Sequence, residues 1–213
     1  MWDNAKCVIS LMLAFRFCSG YGESTEKEGG VEMKLHGEDV RSIINEILDA
    51  HPRQRISNLT AQKVAYFLHG QYLLSTRNPL VSGYFEAWEY GPVHPMLYNA
   101  LRHLGRAPLT SPILKRDILS GEWTAVPPIS DTNVRTFVRR ESEPLLSLSP
   151  RQLVDLSHAP NSPWDVVSMV DNRRTWGLRL DNQTILRHFR FHKRSVSDMA
   201  HGDGFEEHPP SGD

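Results

Sequence analysis

Two histidines near the C-terminus have the spacing of metal ligands. His188 and His192 are four residues apart, so a continuous helix would place both imidazoles on one face, as a metal pair requires. No third ligand follows at a matching spacing, and both histidines lie in a run of basic residues from 187 to 194. We therefore expect a solvated basic face here and no metal site.

The sequence lacks the signatures of the common enzyme classes. It contains no phosphate-binding loop, no Gly-x-Gly-x-x-Gly, no Gly-x-Ser-x-Gly and no His-Glu-x-x-His motif. Ser157 and His158 are adjacent, but adjacency along the chain does not place a base against a nucleophile. We expect neither catalysis nor a cofactor.

Composition favours a globular protein with one domain. The 213 residues include 24 Lys+Arg and 25 Asp+Glu, and 39% are hydrophobic. The net charge of -1 disfavours a protein that coats nucleic acid, and no run reaches the ~18 consecutive apolar residues of a membrane-spanning helix. Both cysteines, Cys7 and Cys18, lie near the N-terminus, which excludes a disulfide framework elsewhere and favours the cytoplasm.

The two ends of the chain differ from the rest in composition. Residues 1–35 join a short apolar run to a Gly/Glu-rich spacer, and we interpret them as an N-terminal extension, disordered or upstream of a true start at Met33, in preference to a signal peptide. Residues 192–213 are predicted to be a disordered tail. Residues 36–191 are predicted to form a mainly α, single compact helical domain with one small β-strand or hairpin.

Helical spacing of apolar residues and cap-plus-proline pairs predict the helices of this domain. Four helices are predicted over 38–51, 95–104, 132–143 and 181–191, and Pro144 is expected to end or kink the third of these. A further long helix is predicted to begin at a cap at Asn58 or Thr60, and two short helices are predicted to begin at Ser149-Pro150 and Ser162-Pro163. The helix that begins at Asn58 or Thr60 is predicted to have one apolar stripe, made of Val64, Phe67, Leu68 and Tyr72. Gly70 within it suggests a close contact.

Two segments have no helical period. Residues 80–90 are rich in aromatic side chains and precede Gly91-Pro92, which predicts a short strand or hairpin. Residues 106–130 carry several prolines and are interpreted as a loop with one extended piece around Trp123.

Residues 84–98 form the densest aromatic segment of the chain. Phe85, Trp88 and Leu97 are expected to be core residues. The other aromatic side chains suit a protein-binding surface, because they offer a large contact area at a low cost in entropy.

Several blocks of the sequence resemble the Panacea domain of SocA-like antitoxins, a domain also described as a phage-associated protein. They are LTAQKVAYFLHG at 59–70, NPL at 78–80, EAWEYGPV at 86–93, LY at 97–98, LSH at 156–158 and SPW at 162–164. The resemblance covers roughly residues 36–191.

The resemblance implies an antitoxin that binds and neutralises a toxin protein, without enzymatic activity. Members are paired with toxins of unrelated folds, and an adaptor role that delivers the toxin to an ATP-dependent protease is also known in the family. On this basis the toxin-binding residues are predicted to be Tyr66, Glu86, Tyr90, Pro92, His94 and Tyr98. The framework residues are predicted to be Lys63, Trp88, Gly91, His158, Pro163 and Trp164.

One alternative is a nucleic-acid-binding regulator. The C-terminal run alternates cations with Phe189 and Phe191, a pattern that grips single strands through phosphate pairing and base stacking. Its contact residues would be Arg187, Arg190, Lys193 and Arg194. Acidic residues follow closely and weaken the positive field, so contact with nucleic acid is the less favoured interpretation.

Overall fold

The computed structural model describes residues 37–192, and of Phe191 it describes the backbone alone. The predictions for residues 1–35, including a start at Met33, and for the tail from residue 193 lie outside the described residues. Within them, helices supply most of the secondary structure, as predicted. No helix of this described part is both long and apolar enough to cross a membrane.

The first helix, α1, spans Val40–Ala50. Asp39 caps its N-terminus by accepting a hydrogen bond from the backbone N–H of Arg41. Ile43, Ile44 and Ile47, which the sequence spaces at helical intervals, are buried. The predicted first helix is confirmed.

The second helix, α2, spans Asn58–Thr76 and is buried on all sides along most of its length. Its cap is Ser57, whose hydroxyl accepts from the N–H of Thr60 at 3.2 Å, so the predicted cap at Asn58 or Thr60 is wrong by one residue or more. The helix ends at Arg77 in a left-handed conformation. The prediction that α2 buries only one apolar stripe is wrong, because the opposite face of the helix is buried as well.

The predicted hairpin is present as β1, Phe85–Trp88, and β2, Gly91–Val93. A further strand, β7, spans Leu178–Leu180 and pairs antiparallel with β1, which gives the strand order β2-β1-β7. The sequence analysis missed β7 because its partner lies more than 90 residues earlier in the chain. The described residues form three small sheets where the sequence predicted one small β element.

A helix and a second hairpin follow. Helix α3 spans Pro95–Leu101 and continues as a 3₁₀ turn over Arg102–Leu104, close to the predicted 95–104. Within the predicted loop, β3 over Leu114–Arg116 pairs antiparallel with β4 over Trp123–Ala125. The extended piece at Trp123 is thus confirmed, and its partner strand was missed.

The C-terminal half is a series of short elements. They are α4 (Thr132–Leu146), α5 (Pro150–Ser157), α6 (Pro163–Ser168), the two-residue strands β5 (Met169–Val170) and β6 (Arg173–Arg174), and α7 (Asn182–His188) with a 3₁₀ turn over Phe189–Phe191. Ser149 and Ser162 cap α5 and α6 as predicted. Helix α4 contains Pro144 in its last turn and extends to Leu146, so the predicted end at 143 is wrong.

Gly70 lies where α2 meets the closing segment of the described chain. A Cβ at this position would be 1.9 Å from a ring carbon of Phe189. The close contact predicted from a glycine inside a helix is therefore present, and its partner is an aromatic ring 119 positions further on. Phe189 is itself buried against Tyr66 and Phe67.

We expect Gly70→Ala to lower the free energy of unfolding by about 1–3 kcal/mol, because the methyl group overlaps the Phe189 ring. Helix propensity alone would make the alanine variant more stable by about 1 kcal/mol. A net loss of stability would therefore be due to the steric overlap. Urea denaturation measures it, with Ser75→Ala at an exposed position of the same helix as the control. A Gly70→Ala protein as stable as the wild type would contradict the contact, and Phe189→Leu should relieve the loss in the double variant.

Stability should also fall with acid, because His69 and His192 are buried. Burial lowers the pKa of each imidazole from 6.5 to about 4. The unfolded chain therefore binds protons between pH ~6.5 and ~4 that the folded chain does not, so stability is present above pH ~6.5 and is lost as the pH falls towards 4. The loss is on the order of 3 kcal/mol per histidine.

Urea denaturation at intervals from pH 7 to pH 4.5 tests this expectation. His69→Gln removes one titrating group and should flatten the dependence of unfolding free energy on pH. The exposed His103→Gln variant is the control and should keep the wild-type dependence. Equal pH dependence in all three proteins would refute the assignment to His69.

Candidate functional site

The β1–β2 hairpin covers one side of the central helix α2. Its strands pair Trp88 with Gly91 across the turn, and Gly91 has a φ of 106°. A Cβ on Gly91 would lie 2.4 Å from the Ser157 hydroxyl and 3.0 Å from Cε of Lys63. Both the backbone conformation and the lack of space therefore require glycine at this turn.

Lys63 is fully buried beneath the hairpin. Its ammonium group donates a hydrogen bond to the carbonyl oxygen of Pro92 at 3.2 Å. A buried ammonium group needs such acceptors, since it has lost its hydration. Lys63 thus fixes β2 to the central helix from a position that no partner protein can reach.

Trp164 holds the other side of the hairpin. Its indole N–H donates to the carbonyl oxygen of Trp88 at 2.7 Å, and the His158 ring stacks on it with the ring centroids 3.7 Å apart. The Arg174 guanidinium lies 4.7 Å from the centroid of the Trp164 ring. Trp164 and Pro163 are buried in α6, which the Ser162 cap begins.

Three of the six predicted toxin-binding residues are buried, and the prediction is corrected for them. The Tyr66 hydroxyl is hydrogen-bonded to Nε2 of His192 at 3.0 Å in the core, and its pKa is raised by burial. His94 is 2% exposed and donates from Nε2 to the carbonyl oxygen of Ser82 at 2.8 Å. Pro92 is buried within β2. These side chains have no surface that a partner could contact in this fold.

The remaining three predicted residues reach the surface. Glu86, Tyr90 and Tyr98 are each partly exposed. The Glu86 carboxylate accepts from the Trp88 indole at 2.8 Å, and the Trp88 and Tyr98 rings are in edge contact at 4.8 Å. Trp88 is only 4% exposed, so it connects the partly exposed side chains of Glu86 and Tyr98 from beneath the surface.

Two further residues lie beside these side chains: Tyr84, which belongs to the aromatic segment singled out from the sequence, and Arg179, which the sequence analysis missed. Arg179 of β7 is the cross-strand partner of Glu86, and its guanidinium lies 4.8 Å from the centroid of the Tyr84 ring. Tyr84 is 40% exposed. We call the surface formed by Tyr84, Glu86, Tyr98 and Arg179 the outer sheet face. Only the pairing of β7 with β1 could reveal Arg179, because it is 93 positions from Glu86 along the chain.

The two C-terminal histidines are not brought together as a metal pair. Helix α7 ends at His188, and the following 3₁₀ turn moves His192 into the core. Both nitrogens of His192 are engaged, Nε2 with Tyr66 and Nδ1 with the carbonyl oxygen of Leu156 at 2.9 Å. Among the described residues, no group of three or more His, Cys, Asp or Glu side chains could hold a metal ion.

The basic run of the alternative interpretation is described only in part. Arg187 and Arg190 are exposed on and after α7, whereas Lys193 and Arg194 lie outside the described residues. Phe189, which that interpretation would use to stack a base, is 4% exposed and belongs to the core.

We expect Trp164→Phe to lower the free energy of unfolding by about 1–3 kcal/mol, since it leaves the buried carbonyl oxygen of Trp88 without its donor. Thermal and urea denaturation measure the change. Trp123→Phe is the matched control, because that indole is 68% exposed. Equal losses in the two variants would show that the buried hydrogen bond is not the cause.

Two comparisons with known proteins found matches to this chain. Residues 61–165, which include Lys63, the β1–β2 hairpin and Trp164, match the family described as "Antitoxin SocA-like, Panacea domain". The chain is 40% identical over 177 residues to "Antitoxin SocA" of Caulobacter vibrioides (strain NA1000 / CB15N), a match that covers 81% of this chain and 94% of that protein. No solved structure matches the chain. An identity of this extent shows that the chain belongs to the SocA-like antitoxin family with the Panacea domain.

Proposed function

We propose that this protein is an antitoxin that neutralises a cognate toxin protein by binding it directly. The observation that carries the proposal is the 40% identity to a protein named as an antitoxin, over 94% of that protein's length. An antitoxin role in general follows from the family. Direct contact with the toxin is the proposed mechanism.

The outer sheet face supports binding as the mechanism. It combines two tyrosines with a carboxylate and a guanidinium on a sheet that Lys63 and Trp164 fix from behind. Aromatic residues and arginine are enriched where protein interfaces derive most of their binding energy. The proposed toxin contacts among the predicted residues are therefore Glu86 and Tyr98 on this face, together with the partly exposed Tyr90 in the turn of the same hairpin.

The remaining parts of the proposal follow from the same role. Neutralisation by contact needs no catalytic step and no cofactor, and it takes place where the toxin is made, in the cytoplasm. Delivery of the bound toxin to an ATP-dependent protease would add a second partner to the same complex. No observation on the described residues favours the nucleic-acid alternative over toxin binding.

Co-expression tests the proposed function. Cells carrying the gene beside this one under an inducible promoter should stop growing, and residues 33–213 of this protein should restore growth. The two chains should also co-purify. A toxic neighbour that is neither bound nor neutralised would overturn the proposal.

Within that assay we expect Tyr98→Ala to weaken toxin binding by ~2 kcal/mol, the cost typical of a central interface residue. Isothermal titration calorimetry with the purified pair measures the affinity. Leu74→Ala at the end of α2 is the control for loss of an exposed apolar side chain.

Thermal denaturation separates binding from folding in the same variants. Tyr98 also packs on Trp88, so a Tyr98→Ala protein that melts early and binds normally once folded would assign Tyr98 to the framework. Tyr90→Ala provides a second measurement at a partly exposed position of the same hairpin.

A further inference from the structure

The β3–β4 hairpin points its apolar face towards solvent. Cross-strand partners share a face of a sheet, and one face of this hairpin carries the first pair, Leu114 with Ala125, and the third pair, Arg116 with Trp123. Leu114 and Trp123 are 44% and 68% exposed, whereas the middle pair, Lys115 and Thr124, is the one partly buried. A sheet that covers a core normally does the reverse, with its apolar side inward.

The tip of the same hairpin is also apolar. Ile118 is 97% exposed and Leu119 is 98% exposed. Single exposed apolar residues are ordinary, but four large ones within ten residues of one hairpin are a concentration of the kind that marks an interaction site. We call Leu114, Ile118, Leu119 and Trp123 the apolar hairpin face.

The tip is held in one conformation by its own hydrogen bonds. The Asp117 carboxylate accepts from the backbone N–H groups of Leu119 at 2.9 Å and Ser120 at 2.8 Å. The backbone of Asp117 is bonded to Glu122 and Gly121, at 2.7 Å and 2.9 Å. A tip fixed in this way presents its side chains without the entropy cost of ordering a loop on binding.

A basic groove adjoins the base of the hairpin. It is lined by Arg53 and Arg55 together with Leu48, Pro52, Pro108 and Leu109. Both guanidinium groups are exposed, and neither forms an ion pair with any residue that the structure describes.

The groove lies near the base of the hairpin. The Asn45 side chain bonds the N–H of Ile113 at 2.7 Å and its carbonyl oxygen at 3.0 Å, directly before β3 begins. Leu48, in the groove, follows Asn45 by one turn of α1. The positively charged groove is therefore close to the point where β3 begins.

We propose that the apolar hairpin face and the groove of Arg53 and Arg55 form a docking surface for the toxin, which meets them with an apolar pocket bordered by Asp or Glu carboxylates. This inference rests on the proposed function. The guanidinium groups of Arg53 and Arg55, which form no ion pair within the described residues, favour an acidic partner. The exposed side chains of Ile118 and Leu119 favour an apolar pocket on it.

Two variants test the docking surface, with the product of the neighbouring gene as the binding partner. Ile118→Ser combined with Leu119→Ser should weaken its binding roughly tenfold or more, because both side chains lose their place in an apolar pocket. Arg53→Glu combined with Arg55→Glu should also weaken binding and should reverse the effect of salt, since like charges then face each other. All four positions are exposed, so neither variant should lower the melting temperature.

Matched controls carry the same changes at other exposed positions. They are Val166→Ser combined with Met169→Ser, and Arg173→Glu combined with Arg187→Glu. We expect both controls to bind as tightly as the wild type. Losses of equal size in the controls would show a general effect of surface change and would overturn the docking surface.

The outcomes separate this inference from the proposed function. Failure of the wild-type chain to bind the neighbouring protein overturns both. Binding by the wild type that the hairpin and groove variants leave unchanged overturns the docking surface alone, and Tyr98→Ala then decides whether the outer sheet face serves instead. Loss of self-association in the hairpin variant, with toxin affinity unchanged, would show a contact between two copies of this chain and would also overturn it.

Discussion

The structure depends on the need to satisfy polar side chains along a helix that is buried on every side. Three of these side chains on α2 have no access to water: Gln62, Lys63 and Tyr66 are 0% exposed. A buried polar group without a hydrogen-bond partner costs on the order of 1–3 kcal/mol. Each side chain must therefore find a partner, and the partners lie on different elements.

These partners connect the helix to the rest of the described chain. Gln62 accepts from the N–H of His94 at the start of α3, and Lys63 donates to β2. Tyr66 binds His192, which closes the described segment, and His69 binds Asn182 at the start of α7. The helix thereby fixes both the hairpin and the C-terminal elements. The motif at 59–70 has this framework role, which explains why Tyr66 is part of the core.

The outer sheet face and the β3–β4 hairpin are both exposed, but they differ in whether their side chains already have partners within the chain. On the outer sheet face the polar and aromatic groups are paired with each other, as Glu86 is with Trp88. On the β3–β4 hairpin the apolar groups of Ile118 and Leu119 contact solvent, and the arginines beside them lack ion pairs within the described part of the chain. Desolvation of such a surface by a complementary partner removes apolar area from water and disrupts no internal contact.

The sequence alone determined the local elements, because their signals are local. Helical spacing placed α1, the Ser-Pro pairs placed α5 and α6, and the aromatic run before Gly91 placed the first hairpin. Gly70 indicated a close contact, and the motif order indicated the family. Each of these inferences needs only residues within about one element's length of each other.

Only the tertiary structure decided which side chains are buried and which are exposed to solvent. Tyr66, Pro92 and His94 occur close to Glu86 and Tyr98 in the matching motifs, but all three are buried. Tyr66 packs against His192, His94 packs against Phe85, and Pro92 lies over Lys63. Pairing of β7 with β1 brings Arg179 beside Glu86, and the register of β3 with β4 turns Trp123 outward. Burial and register depend on contacts between residues up to 126 positions apart, and the order of residues along the chain does not specify which of these contacts form.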